Sequence, residues 1–258
     1  MRRVIAFPCG GDTLIGSLDA ASGSTGLVIV SGGNEVRVGA HRGMAQLAAD
    51  VATAGYPVFR FDRRGIGDST GTNHGFLSSA DDLAAAVAGF RREAPQIDRI
   101  VSFGNCDAAS TLALFGQAAG IERVLLANPW IVEDRDDLPP DAAIRARYAA
   151  RLRSPAAWLR LARGGVDLAK LARGIAKLAK RTPSDPDGLA ARVLAAIDRW
   201  GDDASIILAR EDATAIAYRA AASRSTTRTV TLDTDSHSFA RDADRIALRD
   251  AVIDALRR

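Results

Sequence analysis

The chain has 258 residues, 47% of them hydrophobic and 25% charged, with a formal net charge of +3. That composition fits one large α/β domain, and so small a charge gives no basis for nucleic-acid binding. No apolar run approaches bilayer-spanning length, and no apolar stretch of a secretory signal follows Met1-Arg2-Arg3-Val4, so a cytoplasmic location is expected. Two cysteines, Cys9 and Cys106, are too few for a disulfide framework. The three histidines, His41, His74 and His237, lie far apart, so neither a metal nor a cofactor is expected.

Short apolar runs alternate with helical patterns, which predicts βαβ units and a largely parallel sheet flanked by helices. Val4–Phe7 and Leu14–Leu18 read as an antiparallel hairpin at one sheet edge. Leu27–Val30 is a buried strand ended by Ser31-Gly32-Gly33, and Gly43–Ala54 a helix. Val58–Asp62 is the next strand. Asp62-Arg63-Arg64-Gly65-Ile66-Gly67-Asp68-Ser69 then reads as a structural turn with buried Asp–Arg hydrogen bonds, since a dinucleotide fingerprint would need a third glycine. Ser79–Arg92 is helical, with Asp81 and Asp82 suited to its N-terminal dipole. A strand at Ile100–Phe103, a helix at Ala108–Ala119 and a strand at Val124–Ala127 follow. From Pro129 to Trp200 the strand pattern stops. This helical, basic stretch reads as a cap, at about residues 130–200, inserted into a single domain spanning 1–258. Strands at Ser205–Ala209 and Thr229–Leu232, a helix over Ala213–Ala222 and a closing helix at Ile246–Leu256 complete the pattern.

The informative motif is Gly104-Asn105-Cys106-Asp107-Ala108, because it ends a strand and opens a helix. That context suits a nucleophile elbow, a sharp turn that exposes its central side chain above the sheet and needs small flanking residues. The following helix N-terminus favours negative charge on Cys106. A buried core cysteine is the competing reading of the motif taken alone. His237, the single histidine after Cys106, sits directly beyond the last strand, where a general base belongs. Asp212, with Glu211 as its rival, follows the preceding strand and suits the acid that orients the imidazole. Asp212 also precedes a helical stretch and can cap it. Backbone donors for an oxyanion are expected at Asp107 and in Gly32-Gly33-Asn34-Glu35, with Asn34 preferred over Gly33.

These residues resemble the α/β-hydrolase superfamily across nearly the whole chain. More narrowly, five segments resemble the exosortase A system-associated hydrolase 1 family: Gly32–Arg42, Arg60–Gly65, Gly104–Ser110, Leu126–Trp130 and Asp235–Phe239. The resemblance implies an α/β-hydrolase fold, a Cys106–His237–Asp212 triad, and hydrolysis or acyl transfer on an ester or thioester. It also makes a CoA- or carrier-linked acyl group an expected substrate and an acyl carrier protein an expected partner. Gly33, Arg37, His41 and Arg42, near the oxyanion loop, are then candidate substrate contacts, the basic ones for an anionic part of the substrate. The basic cap helix around Pro155–Arg181 reads as a lid helix, apolar inside and solvated outside, or as a docking face for an acidic carrier or an anionic membrane surface. A scaffold that keeps the fold without turnover is the reading from a different class. The late acid and histidine speak against it.

Overall fold

A computed structural model of the chain describes residues 1–132 and 188–258. The centre is an eight-stranded sheet. Strands β1 (Arg2–Cys9) and β2 (Asp12–Asp19) form the expected edge hairpin, closed at Gly10 with φ of 60°, a backbone region open to glycine. β2 pairs antiparallel with β4 (Val58–Phe61). From there every pairing is parallel, through β3 (Thr25–Val30), β5 (Arg99–Asn105), β6 (Arg123–Ala127), β7 (Ala204–Ala209) and β8 (Thr229–Leu232). The central strands are buried on both faces, hence their continuous apolar runs.

Two cores follow from the two covered faces. Helices α1 (Gly43–Thr53) and α6 (Asp242–Arg257) cover one, burying Leu47, Val51, Leu248 and Val252 against Leu27, Ile29 and Phe103. Helices α2 (Ala80–Glu93), α3 (Asp107–Phe115) and α4 (Leu189–Trp200) cover the other, where Phe59 stacks on Phe90 with ring centroids 5.5 Å apart. Helix α5 (Ala213–Ala221) follows β7.

The 133–187 part of the expected cap, with its basic stretch 155–181, lies outside the described residues. The last part of that insertion is body, not cap. Leu189, Val193, Ala196, Ile197 and Trp200 are buried on α4, and the Trp200 indole donates to the Ala113 carbonyl at 3.0 Å. Helix α3 also ends at Phe115, four residues before the expected Ala119. A side chain at Gly116 would meet the Leu112 carbonyl at 2.6 Å and the Trp200 ring at 2.9 Å, so glycine there lets α4 dock.

The Asp62–Ser69 stretch is the structural turn expected of it. The Asp62 carboxylate is buried and accepts from the Arg37 main chain and guanidinium and from the Asp68 N–H. A side chain at Gly67 would collide with that carboxylate at 2.4 Å. Among the described residues no helix is long and apolar enough to cross a membrane, and no group of three or more His, Cys, Asp or Glu could hold a metal ion.

Candidate active site

Cys106 stands between β5 and α3 with φ of 62° and ψ of −127°. For a residue with a Cβ this conformation costs about 1–3 kcal/mol and persists only where neighbours over-determine it. Here they do. The Cys106 N–H donates to the Ala127 carbonyl at 3.0 Å, and the Cys106 carbonyl accepts from Trp130 at 3.2 Å and from Ala109 at 3.1 Å. A side chain at Gly104 would strike the Ala108 backbone at 2.9 Å, and one at Gly32 would strike the Asn105 carbonyl at 2.5 Å. Ala108, where a second glycine is more usual, is fully buried and fits. Cys106 itself is partly exposed, whereas Cys9, the other free thiol, is buried beside Asp82. Burial, with the Asp82 charge, pushes the Cys9 thiol up.

The loops beyond β7 and β8 bring two further side chains to Cys106. The Asp212 carboxylate is buried, with Oδ1 2.9 Å from His237 Nδ1, while Oδ2 accepts from the Ala215 N–H at 2.9 Å. The two roles read for Asp212, helix cap and histidine partner, are thus filled by its two oxygens. Glu211 is exposed, so Asp212 is the acid that meets the imidazole. Burial disfavours charge on His237, but hydrogen bonds with Asp212 and with the Cys106 sulfur outweigh it and push the imidazole up to about 10. Burial likewise opposes the Asp212 charge, yet the His237 bond and the helix N–H groups hold that carboxyl below its ordinary value. The arrangement favours an imidazolium set between a carboxylate and a sulfur.

A cavity of about 130 Å³ adjoins Cys106, lined in part by Gly32, Gly33, Glu35, Ala40, Met44 and His237. Of the expected site residues, the fold brings Cys106, His237, Asp212, Asp107 and Gly33 together. Asn34 is exposed, accepts from Asn73 at 3.0 Å through its side chain, and is not among the lining residues. Arg37 does not reach the cavity as a free cation: its guanidinium is held by Asp62, Asp68 and Ser17. His41 and Arg42 are exposed, in left-handed conformations at the start of α1, and do not line the cavity. The anion-binding role expected of these three has no support in the cavity wall, where Glu35, held by the Ala40 N–H at 3.2 Å, is the acidic side chain.

Three residues escaped the sequence reading. Asn105 donates to the His237 main-chain carbonyl at 2.9 Å. Asn128, fully buried with φ of 42°, donates to Asn105 Oδ1 at 3.0 Å and to the same His237 carbonyl at 3.3 Å, and accepts from the Ala209 N–H at 2.9 Å. The signal was a lone amide ending each of two buried strands, where an unpaired polar group is costly. Arg63, almost wholly buried, donates to the Gly33 carbonyl and lies 3.6 Å from Asp107.

No protein-family model matches the sequence, and no curated protein matches it. Solved structures do. The esterase Pf2001 of Pyrococcus furiosus superposes with a TM-score of 0.65 at 17% identity, covering 100% of this chain and 90% of that one. The α/β hydrolase GrgF of Penicillium sp. sh18 gives 0.63 at 17% identity, covering 99% and 98%. The thioesterase domain of the curacin biosynthetic pathway gives 0.59 at 13% identity, covering 98% and 99%. At such identities the likeness is one of architecture: the chain has the α/β-hydrolase fold.

Proposed function

We propose that the protein is a hydrolase of an ester or thioester that works through a nucleophilic cysteine, Cys106, with His237 as acid–base and Asp212 as its orienting acid. The observation that carries this reading is His237 itself, held by the Asp212 carboxylate at 2.9 Å and facing the same cavity as Cys106. Structural neighbours that include an esterase and a thioesterase domain support the reaction class. The resemblance to exosortase A system-associated hydrolases supports a CoA- or carrier-linked acyl group as substrate, with an acyl carrier protein as its source.

In the attacking pair the Cys106 proton has passed to His237, whose charged form the Asp212 carboxylate stabilises. The sulfur bonds to the carbonyl carbon, and the oxyanion falls to main-chain N–H groups, that of Asp107 and one from the Gly32–Asn34 turn. As the tetrahedral species collapses, the imidazolium gives its proton to the leaving alcohol or thiol, and an acyl-thioester forms on Cys106. The neutral imidazole then takes a proton from water, which attacks the thioester. The acid leaves and the thiolate–imidazolium pair returns. An acceptor other than water at that second step would make the same site an acyltransferase. Turnover of short acyl esters and acyl thioesters by wild type and Cys106→Ala tests the reading: loss of turnover in the variant is expected, and full retention overturns it.

A further inference from the structure

The residue after the nucleophile carries a carboxylate as well as a main-chain N–H, and the carboxylate is spent on the loop opposite. We propose that the Asp107 side chain and Arg63 are positioning residues that clamp the Gly32–Asn34 turn against the elbow, so that acyl transfer at Cys106 finds its oxyanion donors already in place. This rests on the acyl-transfer reading above.

The clamp closes on one residue from two sides. Asp107 Oδ1 accepts the Gly33 N–H at 2.6 Å, Arg63 donates to the Gly33 carbonyl, and the Asp107 carboxylate lies 3.6 Å from the Arg63 guanidinium. Arg63 is 4% exposed, its other side-chain bond is a long one of 3.5 Å to Ser79, and its Nε has no partner among the described residues. A guanidinium so deeply buried is costly unless an anion offsets it, and Asp107 is the carboxylate it faces. Removing either partner leaves the other charge uncompensated beside the nucleophile.

The consequence for the oxyanion is geometric. Both hydrogen-bonding groups of Gly33 are taken, so its N–H is withheld from substrate. The Gly33–Asn34 peptide is planar and trans, so holding its carbonyl toward Arg63 turns the Asn34 N–H the opposite way. That N–H has no acceptor among the described residues. The turn itself is closed by the Glu35 N–H on the Gly32 carbonyl at 3.1 Å, with Gly33 at φ of 56°. Arg63 also offsets the Asp107 charge, which would otherwise repel both a thiolate and a developing oxyanion.

Two reactions at Cys106 separate a positioned oxyanion turn from a merely intact elbow. Acylation by p-nitrophenyl acetate passes through an oxyanion; alkylation by iodoacetamide does not. Cys9 is buried and contributes to neither. Asp107→Ala is expected to slow acylation about 10- to 100-fold, the scale of an oxyanion donor lost or misaligned, while alkylation stays near the wild-type rate. Asp107→Asn, whose amide oxygen still accepts the Gly33 N–H but no longer offsets the Arg63 charge, is expected to recover part of the acylation. Equal slowing of both reactions in Asp107→Ala, or acylation left unchanged, overturns the proposal. Faster acylation overturns it too, because the carboxylate would then be blocking a donor. Wild-type protein that is alkylated at Cys106 but never acylated would instead sink the acyl-transfer reading itself.

Discussion

The Asn105 side-chain amide donates to the main-chain carbonyl of His237 at 2.9 Å, so the residue before the proposed nucleophile holds the loop that carries the proposed base. Cys106 and His237 sit on loops 131 residues apart in sequence, and this bond ties those loops directly. Asn128 braces it from the next strand.

Replacing Asn105 with Ala should therefore lower kcat more than it raises KM. The lost bond frees the His237 loop, while the rest of the cavity wall beyond Asn105 itself stays in place. A fall of about 10- to 100-fold in kcat is expected, the scale of a base misplaced by about 1 Å. Steady-state kinetics on a short acyl ester checks this. A change confined to KM would assign Asn105 to substrate binding instead.

Asp212→Asn should cost about 10²- to 10⁴-fold in kcat through a misdirected imidazole. It should also change the pH dependence of stability. His237 has a folded value near 10 against 6.5, so its contribution is fully present below 6.5 and fades as pH rises through about 10. Asp212 is held below 3.8, so its contribution is present above 3.8 and fades as pH falls through its lower folded value. Between those limits the wild type should be the more stable of the two. The gap should narrow at both ends, as denaturant titrations across pH would show.

Among the described residues the buried Tyr218 hydroxyl has no partner, and burial, aided by the Asp198 charge, pushes it up to about 12. Tyr218→Phe removes that unpaired group and keeps the ring packing. It should raise stability by about 1 kcal/mol and leave activity unchanged. A loss of stability in thermal unfolding would reveal a hydrogen bond to the hydroxyl.

Much of this was legible in the chain because the informative features are local. A strand that must be buried on both faces reads as an apolar run, as in Leu27–Val30, and an elbow needs small residues around its nucleophile, as Gly104 and Ala108 show. Helix α4 was hidden for the opposite reason. An apolar stripe bearing Leu189, Val193, Ile197 and Trp200 suits a lid or a sheet equally, and only Gly116 across the fold decides between them. The arginines were illegible for the same cause. Arg37 looks like a free cation beside the oxyanion loop until Asp62, 25 residues away, claims it. Arg63 looks like part of a turn until Asp107 and Gly33 surround it. Partners so distant in sequence leave no periodicity to read.

The central claim is that Cys106 accepts the acyl group covalently. Intact-protein and peptide mass spectrometry, after rapid acid quench of a reaction with an activated acyl ester, measures this directly. The expected result is a mass increase of one acyl group, located on Cys106, lost on addition of hydroxylamine, and prolonged in His237→Ala if slow acylation is allowed to run to completion. Turnover of the ester with no label on Cys106 at any quench time, or label found only elsewhere, would contradict it.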